Sequence, residues 1–162
     1  MNSTGIFTPQ GGAFYTAGSG DGAGNGWLRL TTDGSTYRRG YISTSSSYSS
    51  DLGLVVEFDF KTWGNATANL ADGFSIFLFD GSIASVSLAQ HTGGTLGYLR
   101  YNNNGTILSG LSGGYMAVGV DEYGNFLNIL RNNGVEVNGQ REANNITITG
   151  PSTSSLLVAT ES

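Results

Sequence analysis

Asp121 and Asn125 stand four residues apart in the run Gly119-Val120-Asp121-Glu122-Tyr123-Gly124-Asn125-Phe126, directly after the apolar stretch Tyr115-Met116-Ala117-Val118. A turn calls for Gly and Asn, and a loop in which Asp and Asn bond to nearby backbone is the plain reading. The alternative is a place where oxygens gather: carboxylate, carboxamide and carbonyl are the hard donors that Ca2+ takes. A carboxamide also donates and accepts, which suits a ligand rich in hydroxyls. Asp72, in Ala71-Asp72-Gly73, offers the same choice between a polar ligand group and an Asp-Gly turn. Gly93-Gly94 reads as a hairpin turn or as a loop that lets backbone approach a ligand. Glu57 and Asp59, two apart, would share one face of a strand.

The composition narrows what these groups could serve. The chain has 162 residues, a length that fits one domain, 1–162, with a proper core. Hydrophobic residues make up 38% and charged residues only 12%, against roughly 25% charged in an average soluble domain. With 7 Lys plus Arg and a formal net charge of −5, there is no basic patch for nucleic acid or anionic lipid. Cys is absent, which excludes disulfides and thiolate metal sites. No apolar run reaches the roughly 18 residues of a membrane span, so membrane insertion is not expected. The start, MNSTGIFTPQ, lacks the basic and apolar regions of a signal peptide. If the protein is exported, its signal is expected to lie outside this sequence.

The elements that must position the polar groups read as strands. The chain holds 26 Gly, with abundant Ser, Thr and Asn, which suits many short strands joined by turns. In Leu54–Lys61, Leu54, Val56, Phe58 and Phe60 alternate with Val55, Glu57, Asp59 and Lys61, and this is the clearest strand pattern. Gly73–Phe79 (GFSIFLF) is apolar enough for a central strand covered on both faces. Trp27–Thr31, Arg38–Ser43, Thr95–Tyr101, Tyr115–Val120, Asn145–Thr149 and Leu156–Thr160 complete the set, with the serine run 45–50 as a loop. No segment carries a sustained helical period with caps. The expectation is an all-β fold of two stacked sheets with antiparallel pairing.

Three motifs, in order, carry a resemblance: Ala71-Asp72-Gly73 before GFSIFLF, Gly93-Gly94-Thr95-Leu96-Gly97, and Val118 to Phe126, preceded by VVEFDFKTW. Together they resemble the legume (L-type) lectin family, and most closely the L-type-lectin-like domains of bacterial surface adhesins. The resemblance runs from about Trp27 to Phe126. It implies a concanavalin A-like jelly-roll sandwich that binds a glycan on loops at one edge. It implies that Asp72 accepts from two sugar hydroxyls, that the backbone near Gly93 and Gly94 donates, that the Asn125 amide donates, and that Phe126 stacks on the sugar. It further implies a cis peptide before Asp72, and a Ca2+ held by Asp121, the carbonyl of Tyr123 and the side-chain oxygen of Asn125. A surface or extracellular location follows from the same likeness.

The sequence departs from that pattern in places. Gly119 stands where the family has a glutamate for a second metal, and Ile129 where it has an aspartate. The expected downstream histidine is missing; the only His is His91, read as a loop residue. The chain is also short for the family, which suggests a truncated sandwich whose open strand edges pair with another copy or within a fibre. A structural domain of a surface fibre or phage particle with a decayed sugar site is the competing reading. An enzyme is not expected. Sandwich glycosidases use two glutamates in Glu-x-Asp-x-Glu, and here Lys61 replaces the second. With one His and no Cys, neither a Ser-His-Asp triad nor a hydrolytic metal centre can be assembled convincingly.

Overall fold

Gly73–Phe79 does become a strand, but it is the outer strand of its sheet and none of its residues is fully buried, so it is not the central strand covered on both faces that its apolar run suggests. The computed structural model describes residues 7–32, 38–44, 46–63 and 71–161. The chain divides into two compact units, Met1–Asn65 and Ala66–Ser162. The structure is mostly β and the sheets are small and antiparallel.

In the first unit, β1 (Phe7–Gly11) pairs with β4 (Gly40–Thr44), and β2 (Phe14–Tyr15) pairs with β3 (Leu28–Arg29). The expected strand at Trp27–Thr31 is therefore only two residues long, and the one at Arg38–Ser43 begins at Gly40. The strongest alternating segment, Leu54–Lys61, forms no strand and its residues are exposed. Alternation supplies a face to bury, but a strand exists only where a ladder forms. Around it, the Lys61 ammonium lies 4.9 Å from the Trp27 ring and the Arg29 guanidinium 5.0 Å from the Trp63 ring, which ties this stretch to β3.

The second unit carries a four-stranded sheet, ordered β10 (Leu157–Glu161), β9 (Asn145–Thr149), β8 (Gly114–Asp121), β5 (Gly73–Phe79). Its three longest-predicted members match the expected segments closely because each is a run of β-branched and aromatic residues that finds a partner. A small hairpin joins β6 (Tyr101–Asn103) to β7 (Thr106–Leu108). Most of the expected strand Thr95–Tyr101 is instead a turn: Leu96 N–H donates to Gly93, and Tyr98 and Leu99 N–H both donate to Thr95. Leu96 and Gly97 adopt positive φ, 48° and 75°, which no strand accommodates.

One short helix interrupts an otherwise β structure, at a place where the sequence carries no helical signal. α1 (Asn125–Arg131) is seven residues long and packs on β8 and β9. Its apolar residues Phe126, Leu127, Ile129 and Leu130 are at most 2% exposed and join Tyr98, Leu99, Leu111 and Ala117 in the core. Two turns of helix are too short for a periodic signal in sequence; burial, not propensity, holds them. Phe126 seats on Gly119, where an added Cβ would meet the ring at 2.7 Å. The sheet face under α1 is otherwise small and polar: Ala117, Asp121, Asn145, Thr147 and Thr149 are buried there. The Thr147 hydroxyl donates to Asn145 Oδ1 (2.7 Å) and the Thr149 hydroxyl to the Leu156 carbonyl (2.9 Å), so these groups are satisfied. On the opposite face, ladder partners bring together Phe74 with Val120, Ile76 with Val118, and Val118 with Ile148.

Phe126→Ala removes the largest side chain between α1 and the sheet. It is expected to lower unfolding stability by about 3–5 kcal/mol, read by chemical denaturation.

Candidate functional site

The loop between β8 and α1 is built on Asp121. This residue is the last of β8, has no exposure, and its two carboxylate oxygens accept from the backbone amides of Gly124 (2.8 Å) and Phe126 (2.8 Å). Gly124, at φ 94°, makes the turn into α1; a Cβ there would meet the Glu142 carbonyl carbon at 2.4 Å. Only glycine combines that φ with that contact. The loop's other anchor is Asp72, whose carbonyl accepts from the amides of Glu122 (3.0 Å) and Tyr123 (3.3 Å). The Ala71–Asp72 peptide is cis, where the lectin resemblance implies one.

Three of the separated motifs meet here. The Asn125 amide nitrogen donates to Asp72 Oδ1 at 3.3 Å. A Cβ on Gly93 would lie 3.1 Å from Asp72 Oδ2, and one on Gly94 would lie 2.5 Å from Asn125 Nδ2. Asp72, Gly93, Gly94 and Asn125 are thus within contact of one another; a Cβ on Gly94 would push the Asn125 amide aside, while one on Gly93 would sit tightly against the Asp72 carboxylate. Asn125 is 6% exposed, and its Oδ1 is buried with no hydrogen-bond partner among the described residues. An orphaned carboxamide oxygen costs about 1–3 kcal/mol unless a ligand supplies a donor.

Phe126 does not belong to this group. Its ring is fully buried against Gly119, so it offers no face for stacking. The half-buried Tyr123 is the aromatic beside Asp72, and its hydroxyl accepts from Arg141 Nη1. The Arg141 guanidinium lies 4.3 Å from the Tyr123 ring centroid. Arg141 and the Tyr123 side chain were not legible as site residues. Arg141 lies 20 positions after Asp121 in a polar stretch without pattern. His91, near Gly93 in sequence, stacks on Tyr101 with ring centroids 4.0 Å apart. Glu57 and Asp59 are exposed on a segment that forms no strand, so the shared face a glycosidase pair needs is not formed.

The Ca2+ set of Asp121, Tyr123 and Asn125 fits poorly. Ca2+ takes six to eight oxygens, and although each Asp121 oxygen keeps a lone pair beside the amide proton it accepts, that carboxylate, the Asn125 oxygen and the Tyr123 carbonyl together fall short of that number. Among the described residues, no group of three or more His, Cys, Asp or Glu is arranged to hold a metal.

Comparison of the chain with protein families, with curated proteins and with solved structures returns no match.

Burial pushes the Asp121 carboxyl above its ordinary value, against the lowering effect of the amides of Gly124, Phe126 and Tyr123. The native state therefore takes up this proton at higher pH than the unfolded chain does. Stability contributed by this group rises as pH falls from neutral through the native pKa, and levels off below the unfolded value. Asp121→Asn is expected to remove that slope, measured by urea unfolding across the acidic range. Asp121→Ala is expected to cost about 1–3 kcal/mol at neutral pH, because two amides lose their acceptor.

Proposed function

We propose that the second unit is an L-type-lectin-like module that binds carbohydrate at Asp72, Gly93, Gly94 and Asn125. The observation that carries this reading is their convergence: a carboxylate, a glycine pair and a carboxamide with a buried, partnerless oxygen, all within contact. A saccharide hydroxyl both donates and accepts, so it can give its proton to Asp72 or Asn125 Oδ1 and accept from the Asn125 amide. The lack of side chains on Gly93 and Gly94 lets the Asn125 amide and the Asp72 carboxylate sit close together, so that one hydroxyl can meet both. In this reading the fold is a jelly-roll sandwich. The apolar sheet face formed by Phe74, Ile76, Val118, Val120, Ile146 and Ile148 is the kind that a second sheet covers. The module acts by binding and not by catalysis, at a cell surface or outside the cell, as in an adhesin.

The competing reading, an assembly domain of a fibre or phage particle, draws on the polar but metal-poor loop and on open edges. Both β5 and β10 are outer strands of the sheet. It is the weaker one, because a decayed site has no need of glycines pressed against Asp72 and Asn125.

A glycan array separates the two. Binding is expected for the wild-type chain and is expected to be lost in Asp72→Ala and Gly94→Ala, with melting temperature showing that each variant folds. An array with no hits sinks the proposal. Because the donor set fits Ca2+ poorly, EDTA is expected to leave both glycan binding and the melting temperature unchanged. A Ca2+-dependent rise in melting temperature would reinstate the metal.

A further inference from the structure

Arg141 stands beside the proposed sugar site in a fixed pose. Its guanidinium lies over the Tyr123 ring at 4.3 Å. Its Nε and Nη2 donate to Glu136 Oε1 at 3.0 and 2.7 Å, and its Nη1 donates to the Tyr123 hydroxyl. Tyr123 in turn is tied to Asp72 through its backbone amide. A guanidinium carries more N–H donors than these contacts use. One N–H on each terminal nitrogen has no partner among the described residues, and the side chain is 40% exposed. The hydrogen bond to Glu136 is the main influence raising the Arg141 pKa, with smaller contributions from the charges of Glu136, Tyr123 and Asp72.

We infer that Arg141 is a specificity-determining residue of the Asp72–Asn125 site, donating from its two terminal nitrogens to a vicinal diol of a neutral saccharide while Asp72 accepts from the sugar. The inference rests on the lectin reading above and adds the ligand class. Two parallel N–H groups match two adjacent hydroxyl oxygens, as they match the two oxygens of a carboxylate. Charge decides between those partners. The carboxylates of Asp72 and Glu136 outnumber the guanidinium, and the whole chain carries a net charge of −5. An anionic sugar would meet that excess; a neutral diol does not. The pairing with Glu136 and the stack on Tyr123 also fix the fork before the ligand arrives, which lowers the ordering cost of binding.

The test is calorimetric titration of the full chain with methyl glycosides of glucose, galactose and mannose, their monodeoxy analogues, and methyl glucuronide. Arg141→Ala is expected to weaken the preferred neutral glycoside about tenfold or more, the size of a lost charge-assisted hydrogen bond. It is expected to weaken each monodeoxy analogue that lacks one of the two contacted hydroxyls by less than it weakens the parent glycoside, since part of the interaction is already gone. Arg141→Lys keeps a cation by Tyr123 and loses the fork, and is expected to behave like Arg141→Ala. If wild type binds and Asp72→Ala does not, yet Arg141→Ala binds as wild type, the inference falls and the lectin reading stands. Equal weakening of the parent and all deoxy analogues assigns Arg141 a merely structural part and overturns it. Preference for the glucuronide, lost at high salt, overturns the neutral class. If wild type binds no member of the panel, the lectin reading falls and this inference with it.

Discussion

The loop cluster at Asp72 and Asn125 depends on one buried carboxylate. Asp121 ends β8 with no exposure and accepts from the amides of Gly124 and Phe126. Those two bonds turn the chain out of the sheet and into α1. A charge in that position is costly to bury, and burial does push its pKa upward. The amides offset that cost, and in doing so they fix the residues between them: Tyr123 faces Asp72, and Asn125 becomes the first residue of α1 with its side chain over Gly94. Without Asp121 as acceptor, neither the Phe126 ring on Gly119 nor the Asn125 contact to Asp72 has a reason to form.

The two halves of the site reach each other through the β5–β8 ladder. Gly73 pairs with Asp121 and Phe74 with Val120. Register is strict in such a pair, because a slip of one residue turns every side chain to the other face. Residues 53 positions apart in sequence, Asp72 and Asn125, are therefore brought together by an element built mostly of apolar side chains. Gly73 contributes directly, since a Cβ on it would meet the Val120 carbonyl oxygen at 2.1 Å. Chemistry and packing are coupled at that point: the loops can converge only because the strands approach without a side chain between them.

The sequence made some of this legible and hid the rest for physical reasons. Runs such as GFSIFLF and NITIT signal strands because their β-branched and aromatic residues pack on a pleated surface, and they do form β5 and β9. Asp72, Gly93, Gly94 and Asn125 are ordinary turn residues; the order and spacing of the motifs that carry the lectin resemblance nominate them, and they do meet. Leu54–Lys61 misled, since alternation describes a face and says nothing about whether a partner strand forms. α1 was invisible because seven residues hold barely two turns. Phe126 was misassigned for a related reason. Its neighbours look like a ligand loop, and only the bare Cα of Gly119 reveals that the ring points inward. Arg141 had no local signal at all, because what gives it meaning is its contact with Tyr123, 18 positions away.

The stretch that carries Arg141 is suspended from α1 by side chains. Asn128 bonds both ways with the backbone of Val137, Asn132 reaches Gln140, and Arg131 pairs with Glu142. These fastenings fall at the middle and the far end of the stretch, with Glu136 and Arg141 beside them. The clamp is mutual: a change at Val137, Gln140 or Glu142 loosens this stretch and α1 together, whereas the exposed Asn138 lies between the fastenings and tolerates substitution, as loop tips commonly do.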